Sequence, residues 1–479
     1  MPDDRPSFPA RPVAPVTLSR LKAACDGWLE TEADTERYRT AWRDGWRGTA
    51  DLVLRPKTTE EVARLVRICA ETRTPIVPQS GNTGLTGGGQ PHAGGGEVIL
   101  STERLREIRA VDPLDDAMSV EAGVTLAEAQ AEAEKVDRLF PLSLAAEGTC
   151  CIGGNVATNA GGVQVLRYGT MRALVLGLEV VTAEGEIWDG LRTLRKDNAG
   201  YDLKQLFIGS EGTLGIVTAA ALRLFPRPKD AATALLSLPS AETGVRLLAA
   251  LKSALGERLT AFELMHPSCF DWATETLGHA DPLPGAGWRA LIQADGPGPQ
   301  GAMREALEQA LAGRMEAGEV LDGVLAETVA QADALWRIRE DQAEVQKRVG
   351  AGVKHDVSVP VPRIPAFLEA ADAALEARFP GTRPCTFGHL GDGNLHYNPV
   401  RPADMDDAAW RAATLEVNAI VHDLVARFGG SITAEHGVGR LRRAELGRVR
   451  SGTELDLMRR VKRALDPQGL LNPGKVLPD

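Results

Sequence analysis

Cysteine is scarce, six in 479 residues. That is too few for a disulfide scaffold, and no Cys-x-x-Cys pair marks a cysteine-based zinc site. Cys150 and Cys151 are adjacent and cannot both serve a simple disulfide framework. Aromatic residues make up 5% of the chain, too sparse for a base-stacking surface. No apolar run reaches the ~18–20 residues of a membrane span; the best stretch, 172–183, is broken by Glu179. Basic charge is short as well. There are 54 Lys and Arg against 65 Asp and Glu, a formal charge of −11, which opposes a broad nucleic-acid footprint. The opening stretch MPDDRPSFPARPVAP lacks the apolar core of a signal peptide and reads as a Pro-rich solvated tail. These absences lead to the expectation of a cytoplasmic, thiol-reduced protein with no nucleic-acid partner and no membrane span. Several catalytic signatures are missing too: no P-loop, no Rossmann GxGxxG with its acidic partner, no GxSxG elbow and no HExxH.

What is present is a globular composition, 43% apolar and 25% charged. The length suggests about two to four domains. The 50 glycines are unevenly placed. They crowd into GNTGLTGGGQPHAGGG (81–96), GTCCIGGNVATNAGG (148–162) and GSEGTLG (209–215). Glycine at this density lets a backbone approach a ligand, and successive N–H groups in such turns hold anions. Close packing of strand against helix is the plainer explanation for one such loop but a poor one for three. Glu211, flanked by glycine, reads either as a catalytic carboxylate or, more commonly, as an acceptor for backbone N–H groups.

Between the loops, strand and helix signals alternate. Strands are expected at 51–54, 75–78, 174–182 and 215–225, and a helix at 59–73 with Val62, Leu65, Val66 and Cys69 on one face. Pro226 and Pro228 end this pattern. From 231 a strand–helix–strand order recurs three times: 232–238, 240–255, 259–265; then 288–294, 300–311, 320–324; then 357–361, 364–379, 385–390. Such units predict an α+β layer with helices on one face of a sheet. A helix over 404–428 and a short one from 453, followed by a turn-rich terminus, complete the chain.

Two constellations carry chemistry. In TFGHLGDGNLHYNP (386–399), Asp392–Gly393 reads as a two-residue hairpin loop. That register sets His389 opposite His396, both leaving one face, with Asn398 on the same face two residues on. Two converging imidazoles suit zinc or another divalent metal, with Glu435 or His436 as a third donor. The same spacing also fits a hydrogen-bonded His pair at a hairpin edge. In the second, Arg337 and Arg339 point away from each other on an expected helix, and Lys354 leads into a strand. A lone Arg on a helix is ordinarily a solvated or salt-bridged residue.

Six blocks occur in order: PQSGNTGLTGG (78–88), GTCCIGGNVATNAGG (148–162), KDNAGYDLKQLFIGSEGTLGIVT (196–218), GHLGDGNLH (388–396), AEHGVG (434–439) and DPQGLLNPGK (466–475). Together they resemble the FAD-dependent 2-hydroxy acid dehydrogenases of the vanillyl-alcohol-oxidase type. The nearest likeness is to the D-2-hydroxyglutarate dehydrogenases, with D-lactate dehydrogenases and glycolate oxidase flavin subunits nearby. The resemblance implies an α+β architecture. A two-part α/β FAD-binding domain spans 50–228 after an N-terminal segment, 1–49. A substrate or cap domain with an antiparallel sheet spans 229–410, and a C-terminal segment, 411–479, returns to the flavin and metal site. It implies that Pro78, Gly81, Asn82, Thr83, Gly84 and Gly87 cradle FAD phosphates. Gly148, Thr149, Gly153, Asn155, Thr158, Gly161 and Gly162 would line the cofactor, with Gly212 and Ile216 nearby and Asn472 closing the site. No His stands in SGNTG, so the FAD is expected to be non-covalent.

By the same resemblance His389, His396 and Glu435 bind Zn2+ or another divalent transition metal. His436 is the base that takes the hydroxyl proton, and Asn398 holds the substrate α-carboxylate. Hydride would pass from Cα to the flavin N5, leaving a 2-keto acid. Arg339 and Lys354 match the family's cations for a second carboxylate, whereas position 343 is Ala where the diacid pattern has Thr. The expectation is a D-2-hydroxy diacid, D-2-hydroxyglutarate first and D-malate second. D-lactate or glycolate, or a flavin subunit of an electron-transfer complex, are the alternatives. An electron-transfer flavoprotein or a quinone is the expected acceptor, and a homodimer the default assembly.

Overall fold

The computed structural model describes residues 11–42, 46–285 and 287–478. The first ten residues of the Pro-rich tail lie outside them; within the rest of that stretch, Pro15 starts a helix, Pro15–Ala24, instead of continuing as tail. The chain divides into two compact units. The first is Met1–Gly161, Gly169–Arg227 and Glu435–Asp479; the second is Gly162–Tyr168 and Pro228–Ala434.

The first unit holds two main sheets. In one, β1 (Trp28–Leu29), β2 (Leu52–Leu54), β3 (Ile76–Gln79) and β4 (Val98–Ser101) run in the order β1-β2-β4-β3. β4 is parallel to both β2 and β3. Parallel strands need a crossover, and the helix Thr59–Thr72 supplies it between β2 and β3. Its Thr58 side chain accepts the Glu61 amide as an N-cap, and Val62, Leu65, Val66 and Cys69 are all buried. These side chains pack with Leu52, Leu54, Ile76 and Val98 in one core cluster. Leu471, in the C-terminal segment, joins that cluster and bridges Ile76 in parallel.

The unit's remaining strands are β5 (Ile108–Asp112), β6 (Ala117–Glu121), β7 (Arg138–Leu139), β8 (Val175–Val181), β9 (Ile187–Gly190), β10 (Ile216–Arg223) and β11 (Phe225–Pro226). Five form an antiparallel sheet, β5-β6-β10-β8-β9, and β7 pairs with β11. β10 is buried along nearly its whole length, as a central strand covered on both faces should be.

The second unit is built on one seven-stranded antiparallel sheet. Its strands are β12 (Asp230–Leu238), β13 (Leu259–Met265), β14 (Trp288–Gly296), β15 (Asp322–Leu325), β16 (Asp356–Ser358), β17 (Thr386–His389) and β18 (Asn394–Tyr397), in the order β15-β12-β14-β13-β17-β18-β16. The recurring strand–helix–strand units give helices Ala241–Leu255, Ala302–Glu316 and Ile364–Arg378. Ser240 caps the first by accepting the Thr243 amide. The expected helix over 404–428 breaks in two, Asp407–Ala412 and Thr414–Arg427.

The hairpin register departs from the two-residue loop expected at Asp392–Gly393. Phe387 faces His396 and Thr386 faces Tyr397, so the strands are offset by two from the expected pairing. The turn starts at His389, whose carbonyl accepts the amides of Asp392 and Gly393. Gly388 permits the tight closure, since a Cβ there would lie 2.4 Å from the Asn394 carbonyl oxygen. Side chains alternate with period two, so an offset of two leaves every side chain on its expected face.

Candidate active site

The first unit's glycine loops line a cleft. Pro78, Gly81, Asn82, Thr83, Gly84, Gly153, Asn155, Thr158, Gly212 and Ile216 line it, and so does His436. The loops meet because glycine removes the atoms that would part them. A Cβ at Gly81 would fall 2.3 Å from the Thr149 carbonyl oxygen, and one at Gly153 would fall 2.6 Å from the Ala122 Cβ. Gly84 and Gly148 have nothing within 4 Å of an added Cβ.

The other expected cofactor residues, Gly87, Gly148, Thr149, Gly161, Gly162 and Asn472, are not among those that line the cleft. Thr149 meets Gly81 through its backbone. Gly87 adopts a left-handed φ of 71° against the Arg440 side chain. Asn472 donates from Nδ2 to the carbonyls of Gly88 and Glu211, at 3.0 and 2.8 Å, tying the C-terminal segment to two of the loops. Gly161 and Gly162 are buried where the chain leaves the first unit.

The cleft has the features an extended polar cofactor needs. Among the described residues, Gln79 Oε1 and Gln90 Oε1 are buried along it with no hydrogen-bond partner. Buried polar atoms left this way are costly unless a ligand meets them. Glu211 lines the same wall and accepts backbone N–H groups. Its oxygens accept the Val438 and Gly439 amides at 2.7 and 2.8 Å. Burial pushes its carboxyl up to about 7 against those two hydrogen bonds. Gly437, next to His436, has φ 79°, and a Cβ there would lie 2.8 Å from Glu211 Oε1. Thr86 Oγ1 donates to the His436 carbonyl at 3.2 Å, fixing the backbone that carries the imidazole.

In the second unit His389 and His396 leave one face of the hairpin, with ring centroids 5.6 Å apart and nearly perpendicular. Phe387 packs on His396 at 5.0 Å. Asn398 is buried; its Oδ1 accepts the His355 amide at 2.9 Å and its Nδ2 donates to Gln346 Oε1 at 3.2 Å. Asp356 faces His396 across the β16–β18 ladder and accepts from Asn394 Nδ2 at 2.8 Å. It also receives the Ala434 amide, which places the chain just before Glu435.

Arg339 is buried on the helix Val329–Glu340, while Arg337 is exposed. Its guanidinium lies over the Phe387 ring, 4.7 Å from the centroid, and Nε donates to Glu263 Oε2 at 2.7 Å. Lys354 is half-buried in the segment before β16, and Ala343 is exposed. Glu263 is a residue the sequence reading misses. It is fully buried on β13, directly opposite His389, and its Oε1 takes His389 Nδ1 at 2.6 Å. Burial pushes its carboxyl up, but His389 and Arg339 more than offset that and bring it down to about 2. The available signal was a lone acid inside LTAFELM, an otherwise apolar strand.

Residues 50–190 match the FAD binding domain family, and residues 227–476 match the family of FAD linked oxidases, C-terminal domain. A relative from Xanthomonas citri pv. viticola, named D-2-hydroxyglutarate dehydrogenase, is 39% identical over 464 residues, 96% of this chain and 97% of its own. The mitochondrial D-2-hydroxyglutarate dehydrogenase of Danio rerio is 37% identical over 476 residues, 99% of this chain and 87% of its own. The solved structure of p-cresol methylhydroxylase with substrate bound shares the fold, with a TM-score of 0.75 at 17% identity over 96% of each chain. Among the described residues no helix is long and apolar enough to cross a membrane. Matches spanning both units place the chain in the FAD-linked oxidase family of the vanillyl-alcohol-oxidase type, as an FAD-linked oxidoreductase.

Proposed function

We propose that the chain oxidises a D-2-hydroxy diacid to the 2-keto acid, with D-2-hydroxyglutarate as first substrate and D-malate as second. The observation that carries this reading is Arg339, a buried cation at the position the diacid pattern requires, its guanidinium plane held by Phe387 and Glu263. The nearly full-length likeness to D-2-hydroxyglutarate dehydrogenases supports it. Arg339 and Lys354 would receive the distal carboxylate and Asn398 the α-carboxylate. Replacement of the pattern's Thr by Ala343 removes one neutral hydrogen bond, about 1 kcal/mol, while charge-assisted bonds to the cations are roughly twice as strong.

FAD, when bound, supplies the hydride acceptor, and the glycine cleft fits it. A divalent metal, zinc first, when bound supplies a Lewis acid that lowers the substrate hydroxyl pKa. His389, His396 and Glu435 would hold it. Two imidazoles and one carboxylate are a zinc donor set, and the two imidazoles leave one face of the same hairpin, ring centroids 5.6 Å apart. His436 would take the hydroxyl proton, its place fixed by Thr86 and Gly437. The electron acceptor is proposed to be an electron-transfer flavoprotein or a quinone.

The test is anaerobic bleaching of the purified flavoprotein with D-2-hydroxyglutarate, D-malate, D-lactate, glycolate and the L-enantiomers, with and without chelator. Bleaching by D-diacids, abolished by chelator and restored by zinc, is expected. Bleaching by D-lactate or glycolate alone would overturn the diacid assignment, and bleaching indifferent to chelator would overturn the metal.

A further inference from the structure

The buried carboxylate of Glu263 touches two side chains that the proposed function assigns to different tasks. Its two oxygens point apart, Oε1 to His389 Nδ1 at 2.6 Å and Oε2 to Arg339 Nε at 2.7 Å. Both contacts lie within the second unit. They start from three separate elements: Glu263 from β13, His389 from β17 and Arg339 from the helix Val329–Glu340. Antiparallel register sets Glu263 directly opposite His389. The residue is 0% exposed, so neither contact is diluted by water.

Each contact settles an orientation. A histidine that donates Nδ1–H to a carboxylate presents Nε2 to a metal, with its tautomer and ring angle fixed. An arginine that donates Nε–H to a carboxylate keeps its guanidinium plane, and here Phe387 backs that plane at 4.7 Å. The two terminal nitrogens then form the edge that a second carboxylate can meet. We propose that Glu263 is a positioning residue serving both ends of the substrate site: it aims His389 Nε2 at the metal and aims Arg339 at the distal carboxylate. This rests on the diacid and metal reading above, and it predicts that one substitution disturbs metal affinity and diacid selectivity together.

The test uses the full-length chain. Zinc affinity is measured on chelator-stripped protein by competition with a chromogenic chelator, and KM and kcat are measured for D-2-hydroxyglutarate and D-lactate. Glu263→Gln is expected to weaken zinc by about 10–100-fold, the usual effect of losing the carboxylate behind a ligating histidine, and to raise KM for the diacid more than for the monoacid. Arg339→Gln cuts the other arm only. It is expected to raise the diacid KM while leaving zinc affinity within about threefold of wild type, because the Glu263–His389 contact survives.

A purely structural role would lower the unfolding temperature of Glu263→Gln without moving zinc affinity or the diacid-to-monoacid KM ratio, and that outcome overturns the proposal alone. Wild-type protein that takes up no zinc overturns the metal reading and the proposal with it. Nitrogen-15 histidine NMR on zinc-loaded wild type needs no variant. His389 should show a protonated Nδ1 and a metal shift on Nε2; coordination through Nδ1 would overturn the proposal.

Discussion

Two glycines of the first loop are expected to fail in different ways when replaced by alanine. At Gly81 an added Cβ would lie 2.3 Å from the Thr149 carbonyl oxygen and 2.9 Å from the Cys150 Cα. Both are backbone atoms, so no side chain can swing aside. Reaching 3.0 Å from 2.3 Å requires the two loops to part by about 0.7 Å. Overpacking of this kind costs about 1–3 kcal/mol. If both loops must grip the cofactor at once, that is about a 5- to 150-fold weaker hold on FAD. At Gly84 nothing lies within 4 Å. The methyl group there has room in the cofactor-free protein, and the stiffer unfolded chain stabilises the fold by about 0.4–1 kcal/mol. The methyl group would occupy space intended for FAD, so affinity should still fall by about tenfold or more. The assay is titration of the cofactor-free full-length protein with FAD, following quenching of flavin fluorescence, beside denaturant unfolding of the same samples. Gly84→Ala binding FAD as tightly as wild type would refute the placement of that residue against the cofactor. Gly81→Ala binding FAD normally would refute the argument from backbone contact.

Two further outcomes concern stability and reactivity. Arg109 bridges Glu121 and Glu179 at 3.0 Å each, and Glu179 also accepts the Thr59 and Thr218 hydroxyls. Burial pushes Glu179 up, but Arg109 and the hydroxyls more than offset it and hold its carboxyl below the ordinary 4.5. A depressed carboxyl contributes stability above that ordinary value and loses it as pH falls through the folded value. Arg109→Ala should therefore cost about 1.5–3 kcal/mol at pH 7, with the gap to wild type narrowing in acid; urea unfolding that shows a loss under about 0.5 kcal/mol at pH 7 would contradict this. All six cysteines are free and buried, with burial pushing Cys69 up to about 12 and Cys150 up to about 11. The native protein should react slowly with a thiol reagent and yield all six thiols only on denaturation.

The features legible in the sequence were those written in local chemistry. The helix Thr59–Thr72 shows its apolar face at three- and four-residue spacing, and the glycine loops, dense in the sequence, meet along one cleft. The hairpin is instructive because its register was misread while its consequence survived. Asp392–Gly393 resembles a two-residue loop, yet the Gly388 backbone lets the turn begin earlier, at His389. An offset of two preserves the face, so the two imidazoles still emerge together. Glu263 was not legible, because its partners lie 126 and 76 residues away in sequence. Only strand pairing brings that acid beside His389. Arg339 was likewise ambiguous, since burial, which separates it from the exposed Arg337, is a property of the folded helix.

The chain path sets an order for synthesis. The cleft's last wall, Glu435–Asp479, follows the 207 residues of Pro228–Ala434 that build the second unit. A ribosome adding about 5–20 residues per second needs roughly 10–40 s for that stretch. During this interval β3 lacks its Leu471 neighbour, and the glycine loops wait without His436 and Asn472. Premature termination anywhere in those 207 residues would therefore release a first unit whose sheets are written in full but whose cofactor cleft is open on one side.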